Sequence, residues 1–224
     1  MTAAFPTQSI GDWIFDLDNT LYPAECELFH QVDIRMRNFI AEYFGLNEED
    51  ARKLQKRYFR EYGTTLSGLM QNHGMKPEAF LEYVHDIDVT VVPPNPCLEH
   101  SLSLLPGQKV VFTNGTSEHA GRVMKRLGIE HHFDCVFDIF ATDFIPKPSI
   151  AGYHRLIENC AINPYKSVMV EDVACNLEPA KSLGMVTVLI TNSYEWSGED
   201  KEGKYVDHRV DNLTRWLGKL SDSL

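Results

Sequence analysis

The chain lacks a surplus of positive charge and lacks any apolar run approaching the length of a bilayer crossing. Its 21 Lys and Arg stand against 32 Asp and Glu, a formal net charge of −11. An acidic surface of this kind argues against a broad contact with a nucleic acid polymer or an anionic membrane, while leaving room for a local basic pocket that holds one phosphate. A spanning helix needs about 20 apolar residues, and no such stretch occurs. Met1 to Asp12 also lacks a basic segment followed by an apolar one, so the expected compartment is the cytoplasm. Cysteine is sparse and scattered. Cys26, Cys97, Cys135, Cys160 and Cys175 include no Cys-x-x-Cys pair, which disfavours a disulfide framework and a structural zinc site and leaves reduced, mostly buried thiols as the expectation. Repeats and low-complexity tracts are absent as well. What is present is an ordinary globular composition, 43% hydrophobic over 224 residues, enough for one substantial core and an inserted lobe.

Short apolar runs recur at Ile14-Phe15, Val110 to Phe112, Val136 to Phe140, Val168 to Val170 and Val186 to Ile190, with helical stretches between the last four. This alternation predicts an α/β fold with a Rossmann-like parallel sheet. The segment from about Pro23 to Val92 differs, because Leu28, Val32, Met36, Phe39, Ile40 and Tyr43 recur at helical spacing and no strand pattern interrupts them. A crossover of that length predicts an inserted all-helical cap over residues 23–92, with residues 1–22 and 93–224 forming the core. Pro93-Pro94-Asn95-Pro96 marks the return, since consecutive prolines discourage helix. Ser193 to Tyr205, rich in Gly and charge, reads as a surface loop.

The chemistry-bearing residues sit where apolar runs end. Asp16 and Asp18 follow Trp13-Ile14-Phe15, and two carboxylates that close favour a shared proton or a divalent cation between them. Thr113-Asn114-Gly115 follows the second run, Lys147-Pro148 the third and Glu171-Asp172 the fourth. In a parallel sheet these ends converge on one edge. A hydroxyl and an amide there can donate to a phosphoryl oxygen, an ammonium can neutralise it, and a second acidic pair can complete an oxygen-lined Mg²⁺ site.

In this order the motifs Asp16-x-Asp18-x-Thr20, Thr113-Asn114, Lys147 and Glu171-Asp172 resemble those of the haloacid dehalogenase superfamily of phosphatases, over nearly the whole chain. The resemblance implies that Asp16 is a nucleophile forming an aspartyl-phosphate and that Asp18 protonates the leaving oxygen and then activates water. It further implies that Thr113 and Lys147 hold the phosphoryl group. Asp172, Asp16 and the Asp18 backbone carbonyl would bind Mg²⁺, with Glu171 acting through water or on Lys147. Asn176 would brace the metal shell. Carbon–halogen cleaving members lack an acid at the place of Asp18, so the expected substrate is a small phosphate ester.

Two further stretches resemble the pyrimidine 5′-nucleotidase branch: Leu21-Tyr22-Pro23 after the first motif, and Tyr58 to Gly63 followed by Leu66 and Gly68-Leu69. UMP or CMP would then be substrates, with Thr20, Asn114, Tyr22, Tyr62 and Gly63 as candidate substrate contacts. An aromatic such as Tyr62 or Tyr22 can stack on a base; equally, Tyr58 and Tyr62, four apart, can form the packed face of a helix. The alternatives are a β-phosphoglucomutase-like mutase, a broad sugar-phosphate or phosphoglycolate phosphatase, and a non-catalytic nucleotide-binding protein. His119 is expected either near the phosphate or facing solvent, and His30, His73, His131 and His132 are read as structural or exposed.

Overall fold

The computed structural model describes residues 10–191 and 204–221, so most of the loop expected at Ser193 to Tyr205 lies outside the described residues. Six strands form one parallel sheet in the order β3-β2-β1-β4-β5-β6. They are β1 (Asp12–Phe15), β2 (Gln108–Phe112), β3 (Cys135–Phe137), β4 (Ser167–Glu171), β5 (Val186–Ile190) and β6 (His208–Val210). The apolar runs form the strands because both faces of a parallel sheet are covered by helices. On β1, Trp13 and Phe15 face one apolar cluster with Leu98, Val123 and Leu217, while Ile14 faces the other with Tyr153, Leu156 and Leu177.

Between β1 and β2 the chain makes helices α1 (Leu28–Phe44), α2 (Glu48–Tyr62), α3 (Thr65–His73) and α4 (Pro77–His85), and no strand. Local chemistry sets their ends. The Asn47 side chain accepts from the Asp50 N–H, and Glu48, Glu49 and Asp50 place negative charge at the positive end of α2. Thr64 caps α3 in the same way through the Ser67 N–H, and Pro77 opens α4 where no donor is needed. The remaining helices are α5 (Pro96–Leu104), α6 (Ser117–Leu127), α7 (Ile150–Asn159), α8 (Ala174–Ser182) and α9 (Leu213–Ser221).

Two sequence expectations change, and one strand has no expectation attached to it. The third strand stops at Phe137 rather than running to Phe140, because the Asp138 carboxylate accepts from the N–H groups of Ser117, Phe140 and Ala141 and turns the backbone out of the sheet. The edge strand β6 has only three residues, too few to show a period. Of the five thiols only Cys160 is buried; Cys97 and Cys175 are exposed, and Cys26 and Cys135 are half-buried.

Candidate active site

Asp16 is the first residue beyond β1, and its N–H extends the ladder to the Val170 carbonyl at 2.9 Å. Thr113 stands at the same level beyond β2, its N–H donating to Phe137 O at 3.1 Å, and Glu171 ends β4. Lys147 reaches this edge from the segment before α7. Asn114 holds the lysine backbone from both sides, its Oδ1 accepting from Lys147 N at 2.9 Å and its Nδ2 donating to Lys147 O at 3.3 Å. The Lys147 ammonium then donates to Asp16 Oδ1 at 2.6 Å, to Glu171 Oε1 at 2.9 Å and to Phe112 O at 2.9 Å, which uses all three of its hydrogens.

Asp16, Thr113, Lys147 and Glu171 are buried, and the charge does not balance. Burial and the neighbouring Glu171 push the Asp16 carboxyl up to about 7 despite the opposing lysine. Burial disfavours the Lys147 ammonium, yet Asp16 and Glu171 outweigh it and raise the lysine above its ordinary value. Glu171 is likewise penalised by burial, but Lys147 and the Val173 N–H hold it below the usual range. Its oxygens accept from Lys147, from Asn176 Nδ2 at 2.5 Å, and from the Asp172 and Val173 N–H groups at 2.7 and 2.9 Å. Asp16, Glu171 and Asp172 place carboxylate oxygens within 4.8 Å of one another. With one ammonium among these acids, the donor set fits a divalent cation that prefers oxygen ligands. Because the Glu171 oxygens are engaged, Asp16 and Asp172 suit direct ligation better, and Glu171 with Asn176 orients the lysine.

Asp18 has different company. Its Oδ1 accepts from Tyr22 Oη at 2.6 Å and from His119 Nε2 at 2.9 Å. Burial alone would raise Asp18, but His119 and Tyr22 outweigh it and hold the carboxyl below the usual range.

A cavity of about 1130 Å³ opens over Asp16 and Asp18 and runs between the sheet edge and α1–α4. Thr113, Asn114, Lys147, Glu171 and Asp172 line it from below, and Phe29, Asp33, Gln55, Lys56, Tyr62 and Gly63 from above. Gly63, at φ 79°, lies against the Lys147–Pro148 backbone, where a Cβ would stand 3.4 Å from Lys147 O. Thr20 and Tyr22, the other two candidate substrate contacts, do not line the cavity. Tyr22 is 1% exposed with its hydroxyl on Asp18, so it has no face for a base, and the Thr20 hydroxyl is buried with no hydrogen-bond partner. Tyr62 packs edge-on against Tyr58 and donates to Asn72 Oδ1 at 3.3 Å while still lining the cavity.

His119 does not face solvent. It is 1% exposed and bound to Asp18, and His85 of α4 stacks on it, a residue that no sequence signal singled out. Helical spacing from Thr113 places His119 on the first turn of α6, but only the tertiary fold shows which carboxylate it meets.

A family model for haloacid dehalogenase-like hydrolases matches residues 14–184, from β1 through the strand-end acids to the end of α8. The chain belongs to this family. Curated relatives of this hydrolase include phosphate metabolism protein 8 of Saccharomyces cerevisiae, 27% identical over 88% of this chain and 66% of that protein, so the chain spans just under two thirds of that relative's length. Glyceraldehyde 3-phosphate phosphatase of Methanocaldococcus jannaschii is 27% identical over 89% of this chain and 92% of that one. Among solved structures, CbbY of Rhodobacter sphaeroides in complex with phosphate aligns with a TM-score of 0.66 at 16% identity, covering 96% of this chain and 100% of the other. An L-2-haloacid dehalogenase of Xanthobacter autotrophicus aligns at 0.59 and 17%, covering 95% and 97%. These structures share the parallel-sheet fold. No helix among the described residues is long and apolar enough to cross a membrane.

Proposed function

We propose that this hydrolase is a Mg²⁺-dependent phosphomonoesterase that works through an aspartyl-phosphate on Asp16 and takes pyrimidine nucleoside monophosphates such as UMP and CMP. The observation that carries the phosphatase reading is Asp18, a second carboxylate held beside Asp16 by two donors. A departing alkoxide needs a proton, whereas a departing halide needs none, so a fixed acid at this place serves ester cleavage.

Asp18, ionised in the free site, takes up the proton of the phosphate monoanion as the ester binds; Asp16 then attacks phosphorus, the ester P–O bond breaks, and Asp18 gives that proton to the leaving oxygen. Asp18 then takes a proton from the water that attacks the phosphoaspartate, which releases phosphate and restores Asp16. The Thr113 hydroxyl donates to a transferring oxygen and the Lys147 ammonium neutralises charge beside it, and positioning and charge stabilisation supply most of the rate. Asp16 and Asp172, with the Asp18 backbone carbonyl, would hold Mg²⁺, which when bound neutralises charge on the phosphoryl group.

Residues 23–92 act as the cap in this reading, and the cavity they roof is much larger than a phosphate. Phe29 and Tyr62 offer aromatic surface, and Asp33, Gln55 and Lys56 offer polar groups, as a base and ribose require. Asp16→Asn abolishes UMP hydrolysis with folding retained; full activity of that variant sinks the mechanism. A second reading, a triose- or sugar-phosphate phosphatase, is favoured by the near full-length match to the Methanocaldococcus phosphatase. Phosphate release from UMP, CMP, glyceraldehyde 3-phosphate, hexose phosphates and phosphoglycolate, compared as kcat/KM, decides between them. Hexose bisphosphate formation in place of free phosphate would indicate a mutase.

A further inference from the structure

We propose that His119 and His85 form a two-ring latch that fixes Asp18 in its working orientation, and that the latch is complete only while α4 is seated against α6. The proposal rests on the reading of Asp18 as the group that carries protons to and from the ester oxygen.

A carboxylate only accepts, so the His119 ring presents Nε2–H to Asp18 Oδ1 across 2.9 Å. The other ring nitrogen, Nδ1, is buried with no hydrogen-bond partner, so no second hydrogen bond orients the ring. The stack does so instead. The His85 ring lies 4.5 Å away at an angle of 6°, a parallel arrangement that restricts rotation of His119. His85 belongs to the helical segment and His119 to the helix beyond β2, so the stack joins the two.

The backbone around His85 is fastened from the same core helix. Arg122 Nη1 donates to His85 O at 2.9 Å and Nη2 to Ile87 O at 2.6 Å. Both rings lie close to the Gly115 backbone, since a Cβ there would make ordinary contacts of 3.4 Å with His119 Cδ2 and 3.5 Å with His85 Nε2. Tyr22 donates to the same Asp18 oxygen as His119 does. With Oδ1 held by two donors, Oδ2 is the oxygen that carries the proton. His119, His85 and Tyr22 are therefore positioning residues that act through Asp18.

Leaving-group dependence tests this, because a good leaving group needs little protonation and a poor one needs it fully. In the full-length protein with Mg²⁺, kcat/KM for a simple alkyl phosphate and for p-nitrophenyl phosphate are compared across variants. His119→Ala lowers the alkyl value by about 10²-fold and the nitrophenyl value by less than about tenfold, since a positioned general acid contributes 10²–10⁴-fold. His119→Gln, which keeps an N–H donor, recovers about tenfold of the alkyl loss, and His85→Ala shows the same bias at lower amplitude. Should His119→Ala fail to fold, Tyr22→Phe removes the second donor without opening the core and must show the same bias. Equal losses on the two esters, or no loss, overturn the latch while leaving the phosphatase reading intact. Turnover of neither ester by the wild-type protein overturns both.

Discussion

His85→Phe should make the protein more resistant to acid, by an amount that follows from the environment of His85. Burial, the adjacent His119 and Arg122 of α6 lower His85 from 6.5 to about 3, with Asp18 opposing them. A group neutral in the folded state at a pH where the unfolded chain is protonated withdraws stability as pH falls. The contribution is fully present above about 6.5 and is lost progressively down to about 3. The slope is about 1.4 kcal/mol per pH unit, so between pH 7.5 and pH 5.0 the wild type loses about 2 kcal/mol through this ring alone. Because pH 5.0 lies well above the folded value, the loss depends on the unfolded value and not on the exact folded one. Phenylalanine keeps an aromatic face on His119 and cannot titrate. Equilibrium urea unfolding by tryptophan fluorescence at the two pH values gives the comparison, and carboxylates shared by both proteins cancel in the difference. The expected outcome is a gap that moves by about 2 kcal/mol in favour of His85→Phe on acidification. Parallel losses in the two proteins would refute the burial of a neutral ring at this junction.

Lys147→Met leaves Asp16 and Glu171 buried without their cation, so activity should fall at least about 10³-fold and stability by about 3–5 kcal/mol, read by steady-state kinetics and urea unfolding. Millimolar Mg²⁺ should raise the unfolding midpoint of the wild type, by about 2.7 kcal/mol at 100 times Kd, and Asp172→Asn should lose most of that shift. Asp138→Ala removes the acceptor for the Ser117, Phe140 and Ala141 N–H groups and for the Ser117 hydroxyl; a loss of about 2 kcal/mol is expected in the same unfolding assay.

The sequence made legible those features whose cause is local. An apolar run ending in Asp16 marks a central strand and its C-terminal edge at once, and Asn114 beside Thr113 predicts a polar strand end. The convergence of Glu171 with Asp16 follows from the parallel topology alone, whereas Lys147 lies well beyond the end of β3 and is brought to the edge by the Asn114 bonds to its backbone. What escaped depends on contacts that no periodicity encodes. Asp138 reads as one polar residue inside an apolar run, yet its carboxylate gathers backbone donors from α6 and ends β3. Tyr22 reads from the sequence as an aromatic that can stack on a base, but the turn after β1 folds its hydroxyl back onto Asp18. His85 and His119 are 34 residues apart by their numbering and meet only because the C-terminal end of α4 is tied to α6, where Arg122 donates to His85 O. The Pro23 to Val92 helices can be read from spacing; which of their side chains roof the cavity cannot, since that depends on how the helices sit over the sheet edge.

The central claim is that Asp16 carries the phosphoryl group during turnover. Rapid acid quenching with a ³²P-labelled phosphate ester, followed by peptide mapping, measures it directly. The account predicts a hydroxylamine-sensitive label on the peptide that contains Asp16, formed at a rate compatible with turnover and absent in Asp16→Asn. A turning-over protein with no covalent label, or with the label on another residue, would contradict it.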